Sequence, residues 1–539
     1  MRSTIPALLR QAGMALGAAI AAFALITPPT PTAQSKVVDQ RFGLIEPHDA
    51  PERADELGVG WGRARFHWGH VQPDGPDQWI EAELTGDELA REMASGREVI
   101  GLLIGMPDWA RDADGLPRGL YLPVDDPGNT WAGFVRQAVT RYRGQIDHWI
   151  VWNEPDVWDP EHPGYTWPGD EADYVQLLSV AYRTAKESNP EAVIHLAAVS
   201  HWWDALHDRE PYFSRLLDVL AADPEAAKHD YYYDAATLHL YFNPASVYEL
   251  LELYDQMQAE HGIDKPIWLI ETNAAPSSDP AWVVEEPTFR TSLLEQAAYM
   301  PQGLSLALAG GAERVGIYKL IDTPGDYAAN PEPFGLLRGD DSPRPAYRTA
   351  QVAIAQLAGA EQVTWTEQHV VAQVVIEKPG QVTRLLWSRV PFAQTVRVPA
   401  LDERALGERA LGEGATLMDM WGNASTVTPV DGAYTVTLLG GECQQTTGDY
   451  CMIGGPPVYL IEEVSLSEEE IAAADLSLQV IEEGEGAVAP MMTRTTRSPV
   501  GGLVLWVVIG GGIAGAGIIG PTLVRRRLTA GRRDKNGEG

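Results

Sequence analysis

Two glutamates stand where an apolar run gives way to a loop. One ends the run Trp149-Ile150-Val151-Trp152-Asn153-Glu154-Pro155-Asp156, the other Ile267-Trp268-Leu269-Ile270-Glu271-Thr272-Asn273. A carboxyl pair facing across a cleft is what cleavage of a glycosidic bond requires. One protonates the departing oxygen while the other attacks the anomeric carbon, and the covalent route needs the two about 5–5.5 Å apart. That chemistry uses no metal, nucleotide or flavin, and no signature for one is present. Lys319 and Asp322 close a later apolar run and are read equally as substrate contacts or as partners in ion pairs. Trp68, Trp109, Trp158, His201, Trp202 and Trp203 fall on expected loops, where aromatic faces stack on sugar rings or pack in the core.

Distant glutamates meet only if the elements bearing them converge. Between Arg41 and Tyr318 short apolar runs alternate with amphipathic stretches. The runs include Val99–Ile104, Trp149–Trp152, Val193–Val199, Ala236–Tyr241, Ile267–Ile270 and Val315–Leu320. Trp131, Phe134, Val135, Ala138, Val139 and Tyr142 follow helical spacing behind Asn129, a cap residue. With strands near Phe42 and Trp61 the count is eight, so the expected fold is an α/β (β/α)₈ TIM barrel over 38–357. No glycine fingerprint for a dinucleotide opens the first unit, which disfavours an open doubly wound sheet. In such a barrel function gathers at the C-terminal ends of the strands, where both glutamates lie.

At these residues a resemblance is plain. Trp152-Asn153-Glu154-Pro155 resembles the acid/base motif of glycoside hydrolase clan A, and Ile270-Glu271-Thr272-Asn273 resembles its nucleophile strand. The texture is similar to that of family 39 first and family 5 second. The resemblance covers most of 40–350 and extends to the accessory domain through Asp419-Met420-Trp421-Gly422-Asn423. It implies Glu154 as acid/base and Glu271 as nucleophile of a retaining glycosidase. Arg63 then matches the arginine that steadies the nucleophile, and His239-Leu240-Tyr241 the strand-six pair whose tyrosine lies near it. Asn153 is expected to contact the sugar as well, and Trp68 and Trp109, from their loop positions, are candidate stacking contacts. Asp156 stands where family 39 more often has Asn, and Thr272 where an aromatic residue is commoner. The competing expectation is an inactive surface protein that binds glycan or serves adhesion.

The rest of the chain sets the setting. Residues 358–463 read as an accessory β-sandwich of short strands and turns such as Asp431-Gly432, and 464–499 as an acidic disordered stalk. Residues 1–34 resemble a secretory signal peptide. Residues 500–524 are uncharged and long enough for a transmembrane helix, and the arginine-rich 525–539 follow as a basic cytoplasmic tail. The expected location is the cell membrane, single-pass, with the catalytic domain outside. Gly511 and Gly515 have the spacing of a weak helix dimer within that span. In an exported chain the two cysteines, Cys443 and Cys451, are expected to form a disulfide. A net charge of −35 disfavours nucleic acid as a partner and leaves carbohydrate.

Overall fold

The computed structural model describes residues 38–81, 83–329, 332–401, 414–464, 471 and 476–483. The expected signal peptide, most of the stalk, the apolar span and the basic tail lie outside the described residues. Among the described residues no helix is long and apolar enough to cross a membrane.

Eight parallel strands form one sheet: β1 (Asp39–Ile45), β2 (Val59–His67), β3 (Glu98–Ile104), β4 (His148–Asn153), β5 (Val193–Ala198), β6 (Ala236–His239), β7 (Ile267–Thr272) and β8 (Arg314–Ile317). Each pairs with its sequence neighbour except β5 with β6, and β1 pairs with β8. The remaining seam closes through Leu196 N–H to Ala235 O (3.0 Å) and His239 N–H to Val199 O (3.1 Å). Helices with capped starts return the chain between strands. Asn129 Oδ1 accepts from Ala132 N–H at 3.0 Å, and Asp170 and Ser292 open helices through capping boxes. Trp131, Phe134, Val135, Ala138 and Val139 form the buried stripe of the helix Thr130–Arg141.

The lower end of the barrel is filled by large rings from the first residues of the strands. Trp61 and Trp268 lie 6.1 Å apart, with His148 and His195 against Trp268. His148 Nδ1 meets His195 Nε2 at 2.9 Å and its Nε2 meets Glu98 at 3.2 Å. Space for Trp61 comes from glycines on β1, beside it, and on β8, one strand further round. A Cβ at Gly43 would stand 2.1 Å from its indole, and one at Gly316 2.5 Å. Bulk at one position and its absence at the neighbours is how a barrel interior reaches native packing density.

The chain then enters two larger antiparallel sheets and a two-stranded one. Their strands are β9 (Gln362–Gln368), β10 (Val371–Lys378), β11 (Gln381–Ser388), β12 (Gln394–Pro399), β13 (Ala415–Asp419), β14 (Ala424–Val427), β15 (Ala433–Leu438), β16 (Thr446–Thr447), β17 (Tyr450–Cys451), β18 (Val458–Glu463) and β19 (Gln479–Glu483). The order is β14-β13-β18-β11-β10-β9 in one sheet and β15-β12-β19 in the other, with β16 and β17 as a separate pair. The expected boundary at 463 falls short. Residues 479–483, read as stalk, pair with β12. Their Val-Ile core suits a strand, and β12 would otherwise expose an open edge. Cys443 and Cys451 are bonded, Cα atoms 4.8 Å apart. Within their loop Gln444 donates its N–H to Glu295 of the helix Leu293–Ala309 at 2.9 Å, and just past the loop Gln302 of that helix accepts from Gly454 N–H and donates to Gly455 O, both at 3.1 Å. Asn423 closes its turn on Asp419, donating through backbone and side chain at 2.9 Å each.

Candidate active site

Alternation along β2 sends Trp61, Arg63 and Arg65 inward, one above another. Arg63 thereby reaches across to Glu271 at the end of β7, with Nη1 2.5 Å from Oε1. Tyr241, just beyond β6, donates its hydroxyl to Glu271 Oε2. Glu271 is buried, and burial pushes its carboxyl up. The charge of Arg63, then that of His239 and the hydroxyl of Tyr241 outweigh this, so it stays below the usual carboxylate range. Tyr241 is pushed well up by burial and by Glu271, and so stays a hydrogen-bond donor.

Glu154 leaves β4 in a left-handed conformation, φ 45°, a departure that costs about 1–3 kcal/mol and clusters at functional sites. It is held there by its own N–H to Ala198 O, 2.8 Å. Its Oε1 is 2.9 Å from His239 Nδ1, and the other ring nitrogen of His239 lies 3.6 Å from Glu271 Oε1. One imidazole therefore stands between the two glutamates. Asn153 is half-buried beside them. Its backbone oxygen accepts from Thr166 Oγ1 at 2.7 Å, and no hydrogen bond engages its side chain among the described residues.

Glu154, Glu271, Arg63, His239, Tyr241 and Asn153 are thus gathered at one mouth. Trp68 is not among them. It is fully buried, stacked on Phe134 at 4.9 Å, with its N–H given to Gln72 at 2.8 Å. It opens the short helix Trp68–Val71, which turns it outward onto the helix Thr130–Arg141, so its role is packing. Trp109 is half-buried, edge-on to Trp68 at 5.8 Å, and donates to Gln72 O at 2.7 Å. Lys319 and Asp322 are committed to ion pairs, Lys319 to Glu46 (2.7 Å) and Asp326 (3.0 Å), Asp322 to Arg344 (2.6 Å). Glu46 follows β1 and also pairs with Arg65 at 2.7 Å. Despite burial, Lys319 and Arg65 hold its carboxyl down at about 2. Sequence reasoning missed Glu46, although a carboxylate ending the run Phe42-Gly43-Leu44-Ile45 carries the same signal as Glu154 and Glu271.

No family model and no curated protein matches the sequence. Solved structures do match in fold. A family 39 glycoside hydrolase from the gut symbiont Bacteroides cellulosilyticus WH2 aligns with a TM-score of 0.56 at 17% identity, covering 79% of this chain and 81% of that one. A glucosidase from Croceicoccus marinus aligns with a TM-score of 0.50 at 12% identity, covering 77% and 91%. In fold, the chain is a (β/α)₈ barrel followed by antiparallel sheets, and it is similar in fold to the family 39 glycoside hydrolase.

Proposed function

We propose that the protein is a retaining glycoside hydrolase acting on a β-glycoside, with Glu271 as nucleophile and Glu154 as acid/base. The observation that carries this is the opposite treatment of the two glutamates. Glu271 receives the cation and the phenol, the surroundings of a carboxylate kept ionised. Glu154 receives one nitrogen of His239. No cation and no phenol touches Glu154 among the described residues, and this asymmetry supports the division of roles. Glu271 then attacks the anomeric carbon as Glu154 protonates the departing oxygen. In the second step Glu154 takes a proton from the water that releases the sugar. Asn153, whose amide has no hydrogen-bond partner among the described residues, stands beside the pair and would bind a sugar hydroxyl.

The test is hydrolysis of a panel of aryl β-glycosides by residues 35–499, with product configuration read by NMR. A turned-over substrate giving first product with retained configuration supports the reading; inverted product or no turnover across the panel rejects it. A second part of the proposal concerns place. The signal-like start and the apolar segment followed by arginines support an exported catalytic domain anchored by 500–524. Protease added to intact cells should then release the barrel, and a barrel that survives while the tail is cut rejects that topology.

A further inference from the structure

The loop after β4 does more than carry Glu154. Four residues on, Trp158 is 39% exposed on a rigid aromatic base. It meets Trp203 edge-on at 5.6 Å and His207 at 4.9 Å, and the Arg209 guanidinium lies 4.9 Å over its ring. Beneath it Val157, Trp202 and Trp203 form a buried cluster of their own, apart from the barrel core. His162, further along the loop, packs on Trp203 at 4.6 Å. Its Nδ1 accepts from Gly164 N–H at 3.0 Å, which puts the ring proton on Nε2. Burial lowers the proton affinity of His162 although the charge of Glu154 reaches it and raises it, so it is a neutral donor near that glutamate.

An indole left this exposed forgoes much of the stabilisation its burial would bring, yet its neighbours fix its position. Chemistry supplies the reason, on the glycosidase reading of the pair. Glu154 hands its proton to the departing oxygen, so the leaving group passes beside Glu154 and over the loop that follows it. We propose that Trp158, with Arg209 over its ring and His162 on the adjoining Trp203, forms the leaving-group subsite and takes an uncharged ring, a second sugar or an aryl group. An anionic leaving group is disfavoured. Arg209 is within 3.6 Å of Asp204, while Asp159 and Glu161 add negative charge to the same loop.

The test compares three substrates of whichever sugar the aryl panel selects: the glycosyl fluoride, the aryl glycoside and the β-linked disaccharide. Fluoride departs without a proton and without a ring to stack. In Trp158→Ala the ratio of kcat/KM on the disaccharide to that on the fluoride should fall about tenfold, and Trp158→Phe should restore most of it. His162→Ala should lower the same ratio. A ratio unchanged in Trp158→Ala overturns the subsite and leaves the glycosidase reading standing. A wild type that turns over none of the three overturns both.

Discussion

Asp156 is held by Ser200. Its Oδ2 accepts from the Ser200 N–H at 2.8 Å and hydroxyl at 2.7 Å. Oδ1 is buried without a hydrogen-bond partner, and no cation pairs with the carboxyl among the described residues. Burial first, then the charge of Glu154, pushes it up to about 7, against the hydrogen bonds from Ser200. A carboxyl that binds its proton more tightly in the folded state costs stability as pH rises from its unfolded value near 3.8 through the folded one. Asp156→Asn removes that cost. It should leave stability at pH 4 nearly as it was and raise it at pH 8, by at most about 4 kcal/mol. Urea unfolding at the two pH values checks this, and an equal change at both refutes it.

His195 gives a slope of the opposite sign. It is fully buried under Trp268 and His148, and burial holds its proton affinity well below the ordinary imidazole value. An unfolded histidine takes a proton near 6.5, so stability drawn from the neutral buried ring is complete above that pH and is lost as pH falls below it. Unfolding midpoints should decline from about pH 6.5 downward. His195→Gln should flatten that decline while lowering stability at pH 8.

Kinetics separate the two glutamates. Glu271→Ala should lose essentially all turnover, and azide should rescue it with inverted product. Glu154→Ala should suffer most on substrates with poor leaving groups and least on activated aryl glycosides, with azide rescue giving retained configuration. Near-normal rates in both variants, on a substrate that the wild type cleaves, would remove them as the pair.

Gly43→Ala tests the lower layer. The added methyl meets the Trp61 indole and should cost about 1–3 kcal/mol in thermal unfolding. Since the two side chains touch, Trp61→Phe in the same chain should recover part of the loss, a coupling that separate sites would not show.

Much of the barrel was legible because its strands carry short apolar runs and its helices keep a clear 3.6-residue period. Asn129 marks a helix start that the structure contains. The edge of the sandwich was less so. β9, Gln362–Gln368, and β19 are short and mostly polar, and they become strands through pairing with β10 and β12. Periodicity carries no record of such long-range partners. At the mouth, residue type and position at a strand end indicated Glu154 and Glu271, and the family resemblance indicated His239. Neither could separate Trp68, which turns into the core, from Trp158, which stays exposed, because that depends on how each loop leaves its strand.

The contact between Gln302 and the Gly454-Gly455 segment has a consequence for how this chain can vary. Ile453, Tyr459 and Trp387 of the appended domain belong to the same buried cluster as Trp61 and Leu304 of the barrel. With no seam in that interior, the second domain is not a cassette that recombination could exchange for another while the barrel is kept. A shortened gene ending near Leu357 would uncover the face on which Tyr248 meets Trp365 at 4.7 Å and would strip the helix Leu293–Ala309, which begins 22 residues after Glu271, of its outer support. The two domains are therefore expected to be inherited, and to melt, as one.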